Sequence, residues 1–333
     1  MRWLLALLGL SVAAGIAAAL AGLWAWEALH TPAPLTPAGA IVFVPQGEPF
    51  RAVAARLHRA GVVRHPLLLT AWARYRGLDR TVRSGLYRFT QPLSPIGVLD
   101  ALQSRSDDAR LVTIPEGRTA EQIAALLEEQ GYGGRDVFRS VMEDGRLLQE
   151  FALPATGVEG YLFPDTYSFS PMAEPGDIVR AMLMRFRQES AALTARRAAV
   201  GLSEVEMVTL ASVIEKETGQ ADERKLIAGV FYNRLRLGMP LQSDPTVLYG
   251  RSDAHGPITR ADLNAPGLYN TYVHRGLPVG PIANPGRAAL EAAIDPLPTR
   301  ALYFVSRNDG SHEFSDTLEE HNRAVRQFQR RKE

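Results

Sequence analysis

One segment, Val205–Thr218, constrains the fold of this chain more than any other. Apolar side chains occupy nearly the whole circumference of a helix drawn through it, which is typical of a helix buried on most sides. Ser203 is a good N-cap, and Glu206 follows three residues later in the spacing of a capping box. A narrow edge predicted to face water is formed by Thr209, Ser212 and Lys216. The pattern predicts a core helix around which a domain is built.

The last turn of this helix carries two carboxylates, Glu215 and Glu217. Residues two apart on a helix do not face each other, so a matched acid–base pair is not expected and at most one carboxylate points into a cleft. Alternatively, both are solvated charges beside Lys216. The apolar run that leads directly into them favours a functional role, but the helical pattern does not choose between the two.

Composition and charge exclude several classes of function. The 333 residues leave room for about two or three domains, and the formal net charge of +1 gives no reason to expect a nucleic-acid partner. The chain has no cysteine, so disulfides and cysteine metal sites are excluded. Its seven histidines show no metal-binding spacing. We therefore predict no metal site and no cofactor.

The N-terminal stretch Trp3–Trp26 carries no charged residue. It reaches the roughly 20 apolar residues that a transmembrane helix needs, and Trp24 stands where an interfacial aromatic belt would lie. A cleaved signal peptide is the alternative, with Ala19–Ala21 resembling a cleavage site. The stretch is longer than the usual apolar core of about 7–15 residues in such peptides. We predict an anchor at residues 1–27 with a short cytoplasmic head, and the remaining chain outside the cytoplasm.

A proline-rich linker, residues 28–40, precedes a predicted module at residues 41–108. Its pattern is a strand, a Pro-x-Gly turn, two helices and a second strand, with the second helix at Pro66–Tyr75 and the second strand at Gly85–Phe89. The strand–turn–helix pattern recurs from Ile114. The β-α-α-β order resembles a LysM-like module, a fold that binds N-acetylated glycans. A purely structural platform near the membrane remains the alternative.

Residues 109–333 form the second predicted domain, of mixed α+β class. From Gly238 to Gly286 regular periodicity fails, and proline, glycine, asparagine, aspartate and tyrosine are frequent. A long irregular stretch inside a compact domain is usually functional or disordered, and this one has too many aromatic and apolar residues for disorder. We predict loops that wall a polar groove beside the core helix.

A single carboxyl group at the end of an apolar helix suits glycosidic bond cleavage. Desolvation raises its pKa, so it can remain protonated and act as a general acid. Ordinary glycosidases use two carboxylates. In a lytic transglycosylase the 6-hydroxyl of the sugar displaces the bond, so one glutamate can serve as both acid and base. The residue pattern by itself does not decide between these reactions.

Several long motifs occur in order and resemble the endolytic murein transglycosylase family, also called MltG or YceG-like. The resemblance covers roughly Ile41 to the C-terminus. The matching segments are Glu159-Gly160 with Pro164–Tyr167, Ala211–Thr218, Asn233–Leu235, Gln242–Gly250, Tyr269–Tyr272, Gly276–Pro278, Pro281–Gly286, and Tyr303–Val305 with His312, Phe314, His321 and Asn322. The predicted N-terminal membrane anchor is also a feature of the family that the motifs resemble.

The resemblance implies a single-pass bacterial inner-membrane protein whose catalytic domain lies in the periplasm. It would cut nascent peptidoglycan glycan strands internally, between N-acetylmuramic acid and N-acetylglucosamine, leaving 1,6-anhydro ends and limiting strand length. The implied partners are the glycan strands and peptidoglycan synthases, the penicillin-binding proteins. The implied catalytic acid and base is Glu217.

The resemblance also implies residues that contact substrate or hold those that do. They are Glu215, Glu159, Gln242, Asp244, Tyr249, Asn270, Tyr272 and Asn284. Two alternatives stay open. One is a non-catalytic scaffold that binds peptidoglycan, and the other is a muramidase-type hydrolase in which Glu159 or Asp244 supplies a second carboxylate.

Overall fold

The computed structural model describes residues 2–36, 39–45, 47–103, 110–171, 173–249 and 256–329. The architecture is mixed α+β, as the sequence predicts. The chain divides into two compact units, and each is described by itself. Unit 1 is Met1–Val112 with Tyr167–Pro171, and unit 2 is Thr113–Thr166 with Met172–Glu333.

Unit 1 begins with one long apolar helix, α1 (Arg2–His30). Its stretch Val12–His30 is long and apolar enough to cross a membrane, and almost none of it is buried within the structure. The helix extends three residues beyond the predicted anchor. Leu29 and Ala33, which fall in the predicted linker, are each only 3% exposed and belong to the core of unit 1.

The rest of unit 1 is a small module with the predicted β-α-α-β order. Its elements are β1 (Ala40–Val44), α2 (Phe50–Arg59), α3 (Pro66–Tyr75), β2 (Gly85–Phe89) and α4 (Pro95–Gln103). β1 pairs antiparallel with β2, and Ala40 lies opposite Phe89. Helices α3 and α4 both pack against α1. The sequence patterns had not indicated α4. The likeness of this module to LysM, and glycan binding by it, stay predictions.

The next elements are short. They are β3 (Arg110–Thr113), α5 (Ala120–Glu129), α6 (Arg135–Met142), α7 (Gly145–Glu150) and β4 (Thr166–Phe169), and β3 pairs with β4. The predicted helical stretch at 135–151 is two helices, because α6 ends at Met142 and Asp144 caps α7 by accepting a hydrogen bond from the Arg146 N–H.

Three helices form the centre of unit 2: α8 (Pro175–Ala199), α9 (Glu204–Glu217) and α10 (Arg224–Arg236). α9 has the predicted capping box, and every residue from Met207 to Ile214 is buried. The predicted polar edge is therefore wrong at Thr209 and Ser212. The Ser212 hydroxyl donates to the Thr209 carbonyl and accepts from the Ile282 N–H at 3.0 Å. A buried hydroxyl costs little when both of its hydrogen bonds are made.

The C-terminal elements surround the long irregular stretch. They are α11 (Asp244–Leu248), α12 (Arg260–Asn264), α13 (Arg287–Ile294), β5 (Tyr303–Ser306), β6 (His312–Ser315) and α14 (Leu318–Phe328). In its described residues, the stretch from 238 to 286 thus contains two short helices within its loops. β5 and β6 pair antiparallel, and α13 packs along α9. This packing brings the segment before α13 to the C-terminal end of α9.

Candidate active site

α9 points its two terminal carboxylates at different partners. Glu217 accepts a hydrogen bond from the hydroxyl of Ser243. Glu215 instead accepts from the Gly286 N–H at 3.0 Å, at the start of α13. Since successive helical residues are about 100° apart, positions two apart diverge by about 200°. The expectation that the two glutamates do not form a matched pair agrees with this geometry.

The surroundings of Glu217 favour its protonated form. Burial raises the pKa of Glu217 to about 7, and the negative charge of Asp244 adds to the effect, whereas the Ser243 hydroxyl and the Arg234 guanidinium oppose it. At neutral pH both protonation states are populated. A carboxyl group in this state can give up a proton and take one back in the same cycle.

Ser243 is held in place by a set of buried hydroxyl groups. Its N–H donates to Thr271 Oγ1 at 3.0 Å, and its carbonyl accepts from Thr246 Oγ1 at 2.6 Å. The two threonine hydroxyls lie 2.9 Å apart. Ser243 was absent from the predicted site residues, although it stands between Gln242 and Asp244 in the motif that suggested both.

Arg234 places a buried cation near Glu217. Its side chain donates to the carbonyls of Leu302, at 2.6 Å, and Leu241, at 2.9 Å. A further bond of 3.2 Å reaches the side-chain oxygen of Gln242, whose backbone has a positive φ of 52°. Sequence reasoning also missed Arg234 as a site residue, although it lies within the matching Asn233–Leu235 motif.

Asp244 and Tyr272 lie together at the exposed side of this cluster. The Tyr272 hydroxyl donates to Asp244 Oδ1 at 2.6 Å, and the Asp244 side chain is open to solvent. Burial and the neighbouring Asp244 carboxylate raise the pKa of Tyr272, so it stays a neutral donor. Of the predicted site residues, the structure therefore groups Asp244, Tyr272 and, through Arg234, Gln242 around Glu217.

Three other predicted residues form a separate network centred on Glu159. Its carboxylate accepts from the Ala120 N–H at 3.1 Å, the Tyr249 hydroxyl at 3.1 Å and the Asn284 amide at 2.8 Å. Burial raises the pKa of Glu159 to about 7, and these donors oppose the rise. Asn284 is fully buried and also accepts from the Leu162 N–H. The network joins the start of α5 to two loops.

The remaining two predicted residues make internal contacts. The Asn270 side chain donates to the carbonyls of Asp262, Leu263 and Ala265 and accepts from the Tyr272 N–H. Glu215 lies 3.5 Å from Arg224, and its side chain is 6% exposed. Burial raises the pKa of Glu215; the Gly286 N–H and Arg224 oppose this. These contacts hold the loop that carries Tyr272 and the start of α13.

A cavity of about 200 Å³ lies beside α11. Two of its walls are the rings of Tyr249 and Tyr269, which meet edge to face with centroids 4.6 Å apart. Aromatic rings with polar tips suit sugars, which present both C–H faces and hydroxyls. Among the residues that the structure describes, no group of three or more histidine, aspartate or glutamate side chains is placed to hold a metal ion.

Comparison with known proteins matches nearly the whole chain. Residues 42–327 match the profile of the YceG-like family. A Bacillus subtilis protein named endolytic murein transglycosylase is 32% identical, over 86% of this chain and 83% of its own length. A Streptococcus pneumoniae protein of the same name is 29% identical, over 85% of this chain and 57% of its own length. The crystal structure of a YceG-like protein from Listeria monocytogenes is 28% identical, with a TM-score of 0.60, and the match covers 87% of this chain and 100% of that chain. On the strength of these matches, the chain belongs to the YceG-like family.

Proposed function

We propose that this chain is an endolytic peptidoglycan lytic transglycosylase. It cleaves the bond between N-acetylmuramic acid and N-acetylglucosamine within glycan strands and leaves 1,6-anhydro-N-acetylmuramic acid ends. The proposal is supported by membership of the YceG-like family and by relatives named endolytic murein transglycosylase. The observation that carries it is Glu217, a carboxyl group with a pKa near 7 at the end of a buried helix.

In the proposed reaction, protonated Glu217 donates its proton to the glycosidic oxygen as the bond from that oxygen to C1 of N-acetylmuramic acid breaks. The 6-hydroxyl of the same sugar forms a new bond to C1 and releases its proton to Glu217. No water is consumed, and the carboxyl group returns to its starting state. Ser243 orients the carboxyl group, and the positive charge of Arg234 stabilises its transient ionised form.

The surrounding loops would bind the glycan. Tyr249 and Tyr269 offer ring faces beside the 200 Å³ cavity, and Asp244 with Tyr272 offers hydrogen-bonding groups at the exposed side of Glu217. Glu159, Asn284 and Asn270 act indirectly in this proposal, because their hydrogen bonds are made within the protein.

The proposed location is the bacterial inner membrane, with the chain that follows α1 outside the cytoplasm. This rests on α1, whose length and composition suit a membrane anchor. The module of unit 1 is proposed to be LysM-like and to bind glycan, and peptidoglycan synthases are proposed as partners. These assignments follow from the resemblance stated above.

Product analysis by mass spectrometry tests the proposed reaction. Uncrosslinked glycan strands are incubated with the wild-type chain and with Glu217→Gln. Glu129→Gln, an equally conservative change at an exposed position of α5, is the matched control. We expect internal fragments with 1,6-anhydro ends from the wild type and the control, and a loss of about a thousandfold or more in Glu217→Gln because its acid–base group is removed.

Two results would contradict the proposal. Reducing ends carrying one added water would show a hydrolase, and Asp244 would then be the candidate second carboxylate, because its charge acts on Glu217. A scaffold would be indicated if the glycan is not cleaved but still binds to the wild type and to Glu217→Gln. This result requires the full chain inserted in a membrane.

A further inference from the structure

An apolar groove runs between α1 and α3 in unit 1. Both helices contribute residues at helical spacing, so each presents one continuous stripe to the groove. The lining residues are Gly22, Ala25, Trp26 and Leu29 from α1, and Leu68, Ala71, Trp72 and Tyr75 from α3. The groove has a volume of about 320 Å³.

The apolar surface continues on the outer side of α3. Leu67 is 69% exposed and Tyr75 is 81% exposed, next to the half-buried Trp72. On α1, Trp24 and Trp26 are also mostly exposed. Single exposed apolar residues are common, but a contiguous apolar patch with aromatic residues marks a surface that contacts something other than water.

Basic side chains border this surface. Arg64, Arg74 and Arg76 are all exposed, and the Arg76 guanidinium lies over the ring of Trp72 at 5.6 Å. Tryptophan and tyrosine rings with arginines beside them are typical of the boundary between lipid acyl chains and headgroups. The positive charge complements anionic phospholipid headgroups.

The position of the groove along α1 agrees with the boundary between acyl chains and headgroups. The 29 residues of α1 give a helix about 43 Å long at 1.5 Å per residue, whereas the hydrocarbon layer of a bilayer is about 30 Å thick. With Trp3, the start of the uncharged stretch, at the inner boundary, about 20 residues fill that layer, so Gly22–Leu29 begins at the outer boundary between acyl chains and headgroups. The stripe of α3 packs against this part of α1.

We propose that α3 is an interfacial helix that lies beside α1 at the outer boundary between headgroups and acyl chains, and that lipid acyl chains fill the groove between the two helices. Unit 1 then contacts the bilayer through a second surface in addition to its anchor. The proposal goes beyond the proposed enzymatic function and is independent of it, but it requires that α1 spans the membrane.

Site-directed spin labelling of the full chain in phospholipid vesicles tests the proposal. The chain has no cysteine, so single-cysteine variants need no background changes. Labels are placed at Leu67 and Tyr75 on α3, at Ile16 in α1 as the acyl-core reference, and at Arg51, an exposed residue of α2, as the matched control. Collision rates with oxygen and with a water-soluble nickel chelate report the depth of each label.

We expect the oxygen-to-nickel ratio at Leu67 and Tyr75 to exceed that at Arg51 severalfold and to lie below that at Ile16, with a depth of about 5–10 Å below the headgroup boundary. Equal ratios at Tyr75 and Arg51 would overturn the proposal. So would a label at Tyr75 shielded from both reagents, which would mean that a protein partner covers α3, and an aqueous ratio at Ile16, which would mean that α1 is not inserted.

Discussion

The protonation state of Glu217 is set by burial and by three side chains from one later segment of the chain, residues 234–244. Asp244 favours the bound proton, while Ser243 and Arg234 favour the ionised form, and burial outweighs both of these. Raising the pKa of an acid in this way has a cost in the folded state, because the ionised carboxylate is poorly solvated at neutral pH. The acidity of the site and the stability of the protein are therefore coupled through one residue.

Replacing Glu217 with glutamine is expected to stabilise the fold at alkaline pH. The folded pKa of about 7 lies above the ordinary 4.5, so the native state binds more protons than the unfolded state in this window. The free energy of unfolding of the wild type therefore falls as pH rises from about 4.5 to 7. Glu217→Gln lacks this loss and should exceed the wild type by about 1–3 kcal/mol at pH 8.

Urea unfolding at pH 4.5 and at pH 8 measures the difference, with Glu129→Gln as control. The advantage of Glu217→Gln should shrink toward zero at the lower pH. An advantage of the same size at both pH values would show that the carboxylate of Glu217 is not desolvated in the folded state.

Asp244→Asn tests the charge that helps to keep Glu217 protonated. Without that negative charge the pKa of Glu217 falls, so the alkaline limb of the activity profile should move to lower pH. We expect a severalfold loss of turnover at pH 8 and a smaller loss at pH 6. Tyr272→Phe removes the hydrogen bond to Asp244 but leaves the charge of Asp244 in place, so the alkaline limb of the activity profile should not move. A uniform loss for Asp244→Asn at every pH would instead indicate a direct catalytic role.

At the scale of elements, α9 is positioned by close backbone approaches as well as by apolar packing. Gly160, in the loop that carries Glu159, lies against Val208 of α9 and Pro281. Gly229 brings α10 close to the Leu297 carbonyl, which a Cβ at that position would meet at 2.3 Å. Gly160 thus allows the loop that carries Glu159 to reach α9, and Gly229 allows the segment at Leu297 to approach α10.

Gly160→Ala is expected to destabilise unit 2 by about 2–5 kcal/mol. The residue has a φ of +87°, and its Cβ would lie 2.6 Å from the Pro281 side chain and 2.7 Å from Val208. Chemical denaturation measures the loss. Gly145→Ala is the matched control, because nothing lies within 4 Å of its Cβ and it stands at a helix start. Similar stability of the two variants would show that the loop can move away from α9 at little cost.

At the scale of the whole molecule, the anchor helix also contributes to the core of unit 1. α1 packs against α3 and α4, and Leu29 and Ala33 are buried. A truncated chain therefore keeps or loses part of a folded core depending on where it begins.

Two truncations separate membrane attachment from folding. A chain beginning at Ala25 keeps Leu29 and Ala33, whereas one beginning at Gly39 lacks both. We expect both to lose stable membrane insertion, and the shorter one to lose a further 2–3 kcal/mol or so of unit 1 stability through lost apolar burial. Membrane flotation and thermal unfolding provide the two readouts. Equal unfolding temperatures would mean that the end of α1 contributes nothing to the core.

Features that depend on local patterns could be predicted from the sequence. The apolar periodicity of α9, its Ser203–Glu206 capping box, the uncharged length of α1 and the β-α-α-β order were all predictable, since each depends on residues close together in the chain. The ordered motifs also indicated the family that the comparisons confirm. The selection of Glu217 over Glu215 came from that resemblance and not from the helical pattern, and its catalytic role remains a proposal.

Which side chains meet at the site depends on long-range packing and could not be predicted from local patterns. Ser243 lies 26 residues from Glu217, and Arg234 binds a carbonyl 68 residues away. Ser212 is buried because the N–H of Ile282, 70 residues away, satisfies its hydroxyl. Helical periodicity shows which side of α9 is polar, but a polar side chain is buried or solvated according to the partner that a remote loop supplies. That partner depends on long-range packing, and for this reason the two carboxylates of α9 have different environments.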